Sequence, residues 1–594
     1  MNTKIIFLSC LLWAVLSSTF AQPVLQTHTW QIWDVAKEIF PPIQKEILGR
    51  KAQRETQIEA ITISEVRNAK DTLGSGNPFN ADISTTDNTI ACSLVDTTEF
   101  VVAGRNATLT FLSYSPNVVT KGFIALKDFS SNHNSGLQYA RQDPQLYYDS
   151  KADRYILVFI YNEINTSTGE IVDNIFYVYA STTNDPLNGS WYEIAINHTD
   201  VGDGTNWMDR PQIGISDEEL FIATNVYDIN NAYQDNYILA LKKSDLYSGI
   251  KNMTVVDIIG NLPPDDLFGM VPVSYGQKMN FGPGMYFIHS DNVGTLSDSV
   301  WYYRFPTNVY GNPNLSIYKW GVALNNYEIG RNLPQPNTTD SLDVADCRIL
   351  SAFYLNGKIH YTFNVRGTSN LCEVMYCRLK VNSGQNTEMR YSTYPSAYGS
   401  VASLAFDSTD HTAVIPYLTS DSGTYPSFRV VANDNSGAWS NDILLQQGAI
   451  EELTNRWGDY IGAARFHEGL LPTCWVYGSY ASANQAKATD SYIAEIVLTS
   501  SVGVNPPILT QRKPIVVFPN PAQTEIFIEL KQSEVVELKI IDLTGRTIKN
   551  YGLQNLQKEI ATPISLKGIA KGEYILIVRN TTNTFIGYEK VIID

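Results

Sequence analysis

The chain is poor in the residues that bind metals, form crosslinks or cross membranes. Of its 594 residues only seven are histidine and six are cysteine. Cys10 lies inside an N-terminal apolar run, which leaves Cys92, Cys347, Cys372, Cys377 and Cys474 for the rest of the chain. An odd count with no Cys-x-x-Cys argues against a zinc site and a complete disulfide framework. The expectation is buried small apolar side chains, with room for one bridge. Cys372 and Cys377 are five apart in an apparent strand, so they point to opposite faces. The histidines are scattered, and there is no Gly-x-Ser-x-Gly elbow, His-Glu-x-x-His pair or EF-hand loop. "DVGDGTNWMD" is the one acidic loop with oxygens for calcium, but Asp200 and Asp203 do not alternate as an EF-hand requires, so it reads as solvated. No metal or other cofactor is expected beyond that calcium option.

Charge is also scarce, at 17% of residues, and unbalanced, with a net −17. Residues 514–594 are neutral, and the acidity concentrates in residues 71–513, which carry −19. A body this acidic repels phosphate backbones, which excludes nucleic acid as a partner. Long apolar runs are missing after the first residues, where Lys4 precedes "IIFLSCLLWAVL" and "STFAQ". That pattern is a signal peptide, residues 1–21, cut after Ala21. No later run approaches the roughly 18–20 apolar residues of a membrane span.

What the chain does have is aromatic residues, 11% of the total, in short apolar runs separated by Gly, Asn, Asp and Pro. "YILVFIY", "IFYVYAS", "LFIATNVY", "KIHYTFNV" and "CWVYGSY" read as strands. Residues 22–84, with Pro41-Pro42, read as a mixed-charge lead-in, partly helical or disordered. From about residue 85 a repeat emerges. "DPQLYYDSKADRYILVF" and "RPQIGISDEELFIATN" share Pro-Gln-apolar, a polar turn and a strand. Equivalent positions fall at Ala91, Pro144, Pro211, Pro272, Cys347, Ala402 and Tyr460, spaced 53 to 75 residues apart. A period near sixty with about four strands per unit predicts a β-propeller over residues 85–498. Seven starts predict seven blades. Six is the alternative, because the Pro272 repeat matches least well.

Two turns recur in this region: Thr183-x-Asp185-x-x-x-Gly189-x-Trp191 and Asp434-x-x-Gly437-x-Trp439. They resemble the Asp-box turn of sialidase propellers. The Asp accepts backbone N–H bonds, Gly supplies a conformation other residues resist, and Trp plugs the blade, so the turns read as scaffold. The repeat starts also carry Arg beside Asp: Arg141 with Asp143, Asp209 with Arg210, Asp346 with Arg348, and Arg456 with Asp459. Innermost strands of a propeller begin around its channel, so these couples should converge at one mouth. They would form either a polar pocket for a sugar or small charged ligand, or a set of inter-blade salt bridges.

After a Pro-rich linker at 499–513, residues 514–594 alternate apolar and polar in "EIFIEL", "VVELKII" and "EYILIVR", which predicts a small immunoglobulin-like β-sandwich. This tail closely resembles the type A C-terminal sorting domain of the type IX secretion system of Bacteroidetes. The matching residues are Pro519-Asn520-Pro521, Gly545-Arg546 within "DLTGR", Gly572 and Tyr574 in "GEY", and Lys590. The resemblance implies export through the periplasm by that machinery, then release or attachment at the outer-membrane surface. Residues 85–498 resemble an uncharacterised family of secreted bacterial propellers, through "QDPQLYYDSKADRYILV", "ASTTNDPLNGSWYEI" and "RWGDYIGAA". That resemblance implies shape and location but no active site. The first repeat departs from it, with "VDTTEF" where the family has a Gly-Pro-Asn-His turn. The expectation is an all-β, secreted or surface-bound binding or adhesion module. Its candidate partners are the secretion machinery and an extracellular glycan or surface lipopolysaccharide. A glycan-active hydrolase of sialidase type is the alternative, although no spacing identifies the three arginines, Tyr nucleophile and acids it needs. A structural surface component is a third reading.

Overall fold

The computed structural model describes residues 62–71, 87–499 and 515–594, apart from short loops that include 127–137, 202–205, 258–267, 277–283, 453–456 and 543–546. The expected signal peptide and most of the expected lead-in therefore lie outside the described residues.

The all-β expectation holds. The described helices are two single turns, His198–Val201 and Lys243–Leu246, and none is long and apolar enough to cross a membrane. Everything else regular is strand. Thr89–Val95 begins a four-stranded antiparallel meander that ends at Val118–Ala125. A second runs from Gln138–Asp149 to Trp191–Asn197, and a third from Trp207–Ile215 to Met253–Asp257. The fourth, from Val271–Tyr275 to Tyr318–Tyr327, is the repeat whose sequence matches least well, and it is a full meander. The fifth spans Ile349–Leu355 to Asn386–Arg390. The sixth has a broken first strand, Ser396–Ala397 and Ala402–Ser403, before Ala413–Asp421. The last is completed by a segment from the far end of the chain: Thr62–Asp71 pairs with Thr489–Thr499 as the outermost strand beyond Thr473–Ala481 and Gly462–Phe466. This segment fell within the expected lead-in. Its sequence, TISEVRNAKD, is polar because an outermost strand has few apolar positions to bury, and the pairing that holds it lies more than 400 residues away.

The first strands of successive sheets touch in a closed circuit. The Leu146 amide donates to Thr89 Oγ1 (2.9 Å), joining the second sheet to the first. The first strands of the second and third sheets are in contact. The Ile215 amide donates to Ser274 Oγ (3.1 Å), third to fourth. Ser274 and Tyr275 run parallel to Phe353 and Tyr354, fourth to fifth. The Val401 amide donates to Ser351 Oγ (3.2 Å), sixth to fifth, and Arg465 Nη1 donates to the Ser403 carbonyl (3.1 Å), last to sixth. The Asn88 amide donates to the Tyr460 carbonyl (3.0 Å) and completes the circuit. The strands line a central cavity of about 170 Å³, bordered by residues such as Ala91, Leu146, Ile213, Ser351, Ser403 and Ala463.

Aromatic side chains fill the space between sheets. Tyr155, Tyr161, Tyr177, Tyr302, Tyr361, Tyr417 and Trp475 are all essentially inaccessible to solvent. Burying rings on both faces of each sheet is the apolar gain that an isolated four-stranded sheet lacks. The five cysteines are buried, and Cys372 and Cys377 lie in different apolar clusters, as opposite faces require.

The C-terminal segment forms two further sheets, ordered Ile515–Phe518, Glu525–Leu530, Thr562–Ser565 and Thr547–Leu556, Glu534–Asp542, Gly572–Asn580, Phe585–Ile593. Ile526, Ile528, Leu538, Ile540, Leu576 and Val578 share its core. Asn520 lies between two cis prolyl bonds, at Pro519 and Pro521, and its Oδ1 accepts from the Ile592 amide (2.8 Å). The Tyr574 hydroxyl donates to the Ala570 carbonyl (2.9 Å), Gly572 opens its strand, and Lys590 pairs in register with Ile575. Gly545 and Arg546 lie outside the described residues.

Candidate functional site at the mouth of the ring

The two turns at Asp185–Trp191 and Asp434–Trp439 occupy the same topological place, between the third and fourth strands of their sheets. Asp185 Oδ1 accepts from the amides of Leu187 (2.9 Å) and Asn188 (3.1 Å), and Asp434 Oδ1 accepts from the Ala438 amide (2.8 Å). The glycines serve different ends. Gly437 has a φ of 93°, a left-handed conformation, as expected. Gly189 is instead required for space: a Cβ there would lie 2.7 Å from both the Asp185 carbonyl oxygen and Thr183 Oγ1. Trp191 lies 6.3 Å from Tyr155, and Trp439 lies 5.1 Å from Tyr391 and 6.1 Å from Tyr376, each at the edge of a buried cluster.

The Arg–Asp couples sit where the chain kinks into the first strands. Asp143 (φ 54°), Arg210 (φ 51°), Ala345 (φ 55°) and Tyr398 (φ 56°) are left-handed although none is glycine, and Gly269 and Gly458 do the same for the fourth and last sheets. Pairing slips at two of these kinks, between Gln142 and Gln145 and between Asp209 and Gln212. Strain of this kind persists only where the surroundings over-determine it, and it clusters at functional sites.

The kinks bring charged groups from several sheets within each other's field. Burial pushes the Asp143 carboxyl well above its ordinary range, reinforced by Asp87, Asp209 and Asp459 and opposed by Arg210. Burial and then Asp459 push Asp209 up to about 6. The group is held by a short network: the Asp143 amide donates to Asn106 Oδ1 (2.7 Å), Asn106 Nδ2 donates to Asp87, and the Asp459 amide donates to Asp87 Oδ1 (2.6 Å). The Tyr460 hydroxyl donates to the Pro144 carbonyl (3.1 Å).

The two central arginines behave differently. Arg348 closes on its own neighbour, with Nε 2.8 and 2.9 Å from the two Asp346 oxygens. Burial works against its charge, but Asp346 overrides that and raises its pKa. Arg210 is only 3% exposed, yet its Nε and Nη2 find no hydrogen-bond acceptor among the described residues. Burial and then the Arg348 charge depress its pKa. Both arginines press on Gly269, whose missing Cβ would lie 3.2 Å from Arg210 Nη1 and 3.2 Å from Arg348 Cβ. Arg348 therefore pairs within its own couple rather than between sheets, while the Arg210 Nε and Nη2 have no acceptor among the described residues. Arg141 stacks over the Tyr161 ring at 5.0 Å. Arg456 lies outside the described residues, as does Asp203, while Asp200 is paired with Lys251 (2.8 Å).

Beside the arginines stands a chain of partly exposed rings. The Arg348 guanidinium lies 4.6 Å above Phe268, which meets Tyr233 edge-on at 5.3 Å. Tyr233 meets Tyr227 at 5.9 Å, and Tyr227 stacks on Trp207 at 4.8 Å. The sequence reading missed these rings, along with Asp87 and Asn106. Asp87 could have been found by extending the first repeat a few residues upstream of Ala91. Trp207, Tyr227 and Tyr233 are cross-strand neighbours at the ends of the third sheet's first three strands, and Phe268 comes from the segment before the fourth sheet. The cavity begins just past the charged group on each first strand, at Asn88, Gln145, Gln212 and Tyr460, so the group stands at one end of it.

Residues 516–594 match the family model described as "Secretion system C-terminal sorting domain". The tail is thus a type IX secretion sorting domain, handled by that machinery, and the protein is exported to the cell surface or secreted. No curated protein matches the chain. Among solved structures it is similar to an α-L-arabinofuranosidase of Fusarium graminearum in complex with an iminosugar inhibitor, at 13% identity and a TM-score of 0.34, covering 75% of this chain and 99% of that one. It is also similar to the phage phi92 endosialidase, at 9% identity and a TM-score of 0.34, covering 90% and 87%. An exo-β-1,3-galactanase of Phanerochaete chrysosporium aligns at 11% identity and a TM-score of 0.26, covering 82% and 90%.

Proposed function

We propose that residues 62–499 form a seven-bladed β-propeller followed by an immunoglobulin-like sorting sandwich, and that the propeller is an extracellular glycan-binding module with its site at the mouth. The closed circuit of first strands supports the ring. One observation carries the binding site: the Arg210 guanidinium, almost wholly buried, with two donor groups left unsatisfied. An unmet buried donor is costly, roughly 1–3 kcal/mol, unless a ligand or water completes it. Carboxylates that accept, guanidinium groups that donate and partly exposed rings that pack on sugar C–H faces are the groups that read a carbohydrate.

A hydrolase is the second reading, favoured by the raised pKa values of Asp143 and Asp209, since a proton held on one carboxyl beside an ionised one is what general acid catalysis needs. A glycan array followed by product analysis on the bound glycans separates the two. Retention of intact glycan supports the binding module, chain shortening that stops in Asp143→Asn supports the hydrolase, and an empty array refutes both.

A further inference from the structure

The central cavity holds an arginine that the glycan-binding reading does not use. Arg465 sits near the end of Gly462–Phe466, the first strand of the last sheet, and lines the cavity. Tyr460 lines it at the mouth end, and five residues of extended chain place Arg465 roughly 15 Å further in. Among the described lining residues Arg465 alone carries a permanent charge, and none is Asp, Glu or Lys. His467, two residues on, lines the same end.

The guanidinium is anchored on one side and open on the other. Nη1 donates to the Ser403 carbonyl (3.1 Å), which also accepts from Cys474 Sγ (3.1 Å). Nε and Nη2 make no hydrogen bond among the described residues, and Arg465, unlike Arg210, is partly exposed. It forms no ion pair there either. Asp410, whose field reaches it, is held by the Thr412 amide (3.0 Å) and hydroxyl (2.7 Å). Burial depresses the Arg465 pKa, and Cys474 and Asp410 offset only part of that. A desolvated cation without a counter-charge is costly, and an anion beside it removes much of the cost. The cavity, at about 170 Å³, matches the roughly 150 Å³ that admits a benzene-sized guest.

We propose that the far end of the cavity binds a small oxyanion, a carboxylate or phosphate-like group of about benzene size or less, on the Nε–Nη2 edge of Arg465. A planar guanidinium edge donates to two oxygens at once, which both kinds of anion present. This site shares no residue with the mouth and does not depend on the glycan-binding reading.

The test is calorimetric titration of the full secreted chain, in a low-salt zwitterionic buffer, with sodium acetate, phosphate and sulfate. Acetamide serves as the uncharged match for acetate. At least one anion should give saturable heat at one site per chain, with acetamide silent. Saturation by acetate at the lowest concentration marks an organic acid as the ligand, and saturation by phosphate or sulfate an inorganic one. Arg465→Gln, whose amide can still donate to the Ser403 carbonyl, should weaken the bound anion by about tenfold or more with little change in melting temperature. Should that variant fail to fold, Arg465→Lys keeps the charge, loses the planar edge and should also weaken the anion. The contrast between acetate and acetamide needs no variant. No saturable heat with any anion, equal heat from acetamide, or wild-type affinity in the variant overturns the inference and leaves the glycan-binding reading intact.

Discussion

Arg67 offers the sharpest test of how the ring closes. It sits on the strand Thr62–Asp71 and reaches Glu99 in the first sheet and Glu495 in the last, each with about a twentieth of its side chain exposed. Its guanidinium also lies 4.7 Å from the Tyr114 ring and 5.3 Å from Trp475. Arg67→Ala would leave two buried carboxylates without their shared counter-charge. Breaking a buried pair by removing one partner costs about 3–5 kcal/mol. Cooperative unfolding of a unit spanning residues 62–499 would carry an entropy of about 0.9 kcal/mol/K, so the midpoint should fall by about 3–5 °C. Replacing all three, as Arg67→Met with Glu99→Gln and Glu495→Gln, should recover most of that loss, since no charge is then buried unpaired. Calorimetry on the purified variants measures both. A shift below about 1 °C in Arg67→Ala would refute the reasoning, because the strand would then be an ornament on a ring closed elsewhere.

Other expectations are more local. Glu219 is fully buried, accepts from the Tyr310 amide (3.1 Å) and leaves Oε2 unpartnered; burial pushes its pKa up to about 7. The native state thus holds a proton that the unfolded chain releases, so stability is lost as pH rises from about 4.5 to 7. Glu219→Gln should flatten melting temperature against pH across that window; an unchanged slope would count against it. Asp185→Ala removes a carboxylate that caps an exposed turn and should cost about 1 kcal/mol in a chemical melt, with glycan binding unaffected. Burial raises Cys377 and Cys474 to about 12, so a thiol reagent should label these residues only after unfolding, and labelling of the native protein would contradict the packing. A chain ending near Thr510 should fold normally but remain in the periplasm, and its appearance at the surface would show that the tail is dispensable for export.

Local signals carried the all-β class, the repeat and the tail. Alternation in "EIFIEL" and the Pro-Gln-apolar starts at Pro144 and Pro211 depend on neighbours a few residues apart, which is the range at which sequence periodicity speaks. Thr62–Asp71 was illegible for the opposite reason: it has little apolar pattern of its own, and its partner Thr489–Thr499 is supplied by closure of the ring. The roles of the couples were not visible. Arg348 and Arg210 both neighbour an aspartate, yet one is satisfied within its couple and the other, at a left-handed kink, leaves Nε and Nη2 without an acceptor. Composition does not report such a kink when the residue is arginine rather than glycine. The ring of Phe268 beneath Arg348 was likewise invisible, since it arrives from a different sheet.

Closure by an outermost strand also decides where the protein can be cut. Thr62 lies opposite Thr499 in the antiparallel register, so the segment before the ring and the linker to the sorting tail depart from one corner of one sheet. The mouth is built on innermost strands, three ladders inward from that corner. A cut at this peripheral corner therefore leaves the innermost strands untouched. The same geometry makes this corner the natural graft point for a tether, a dye or a second module.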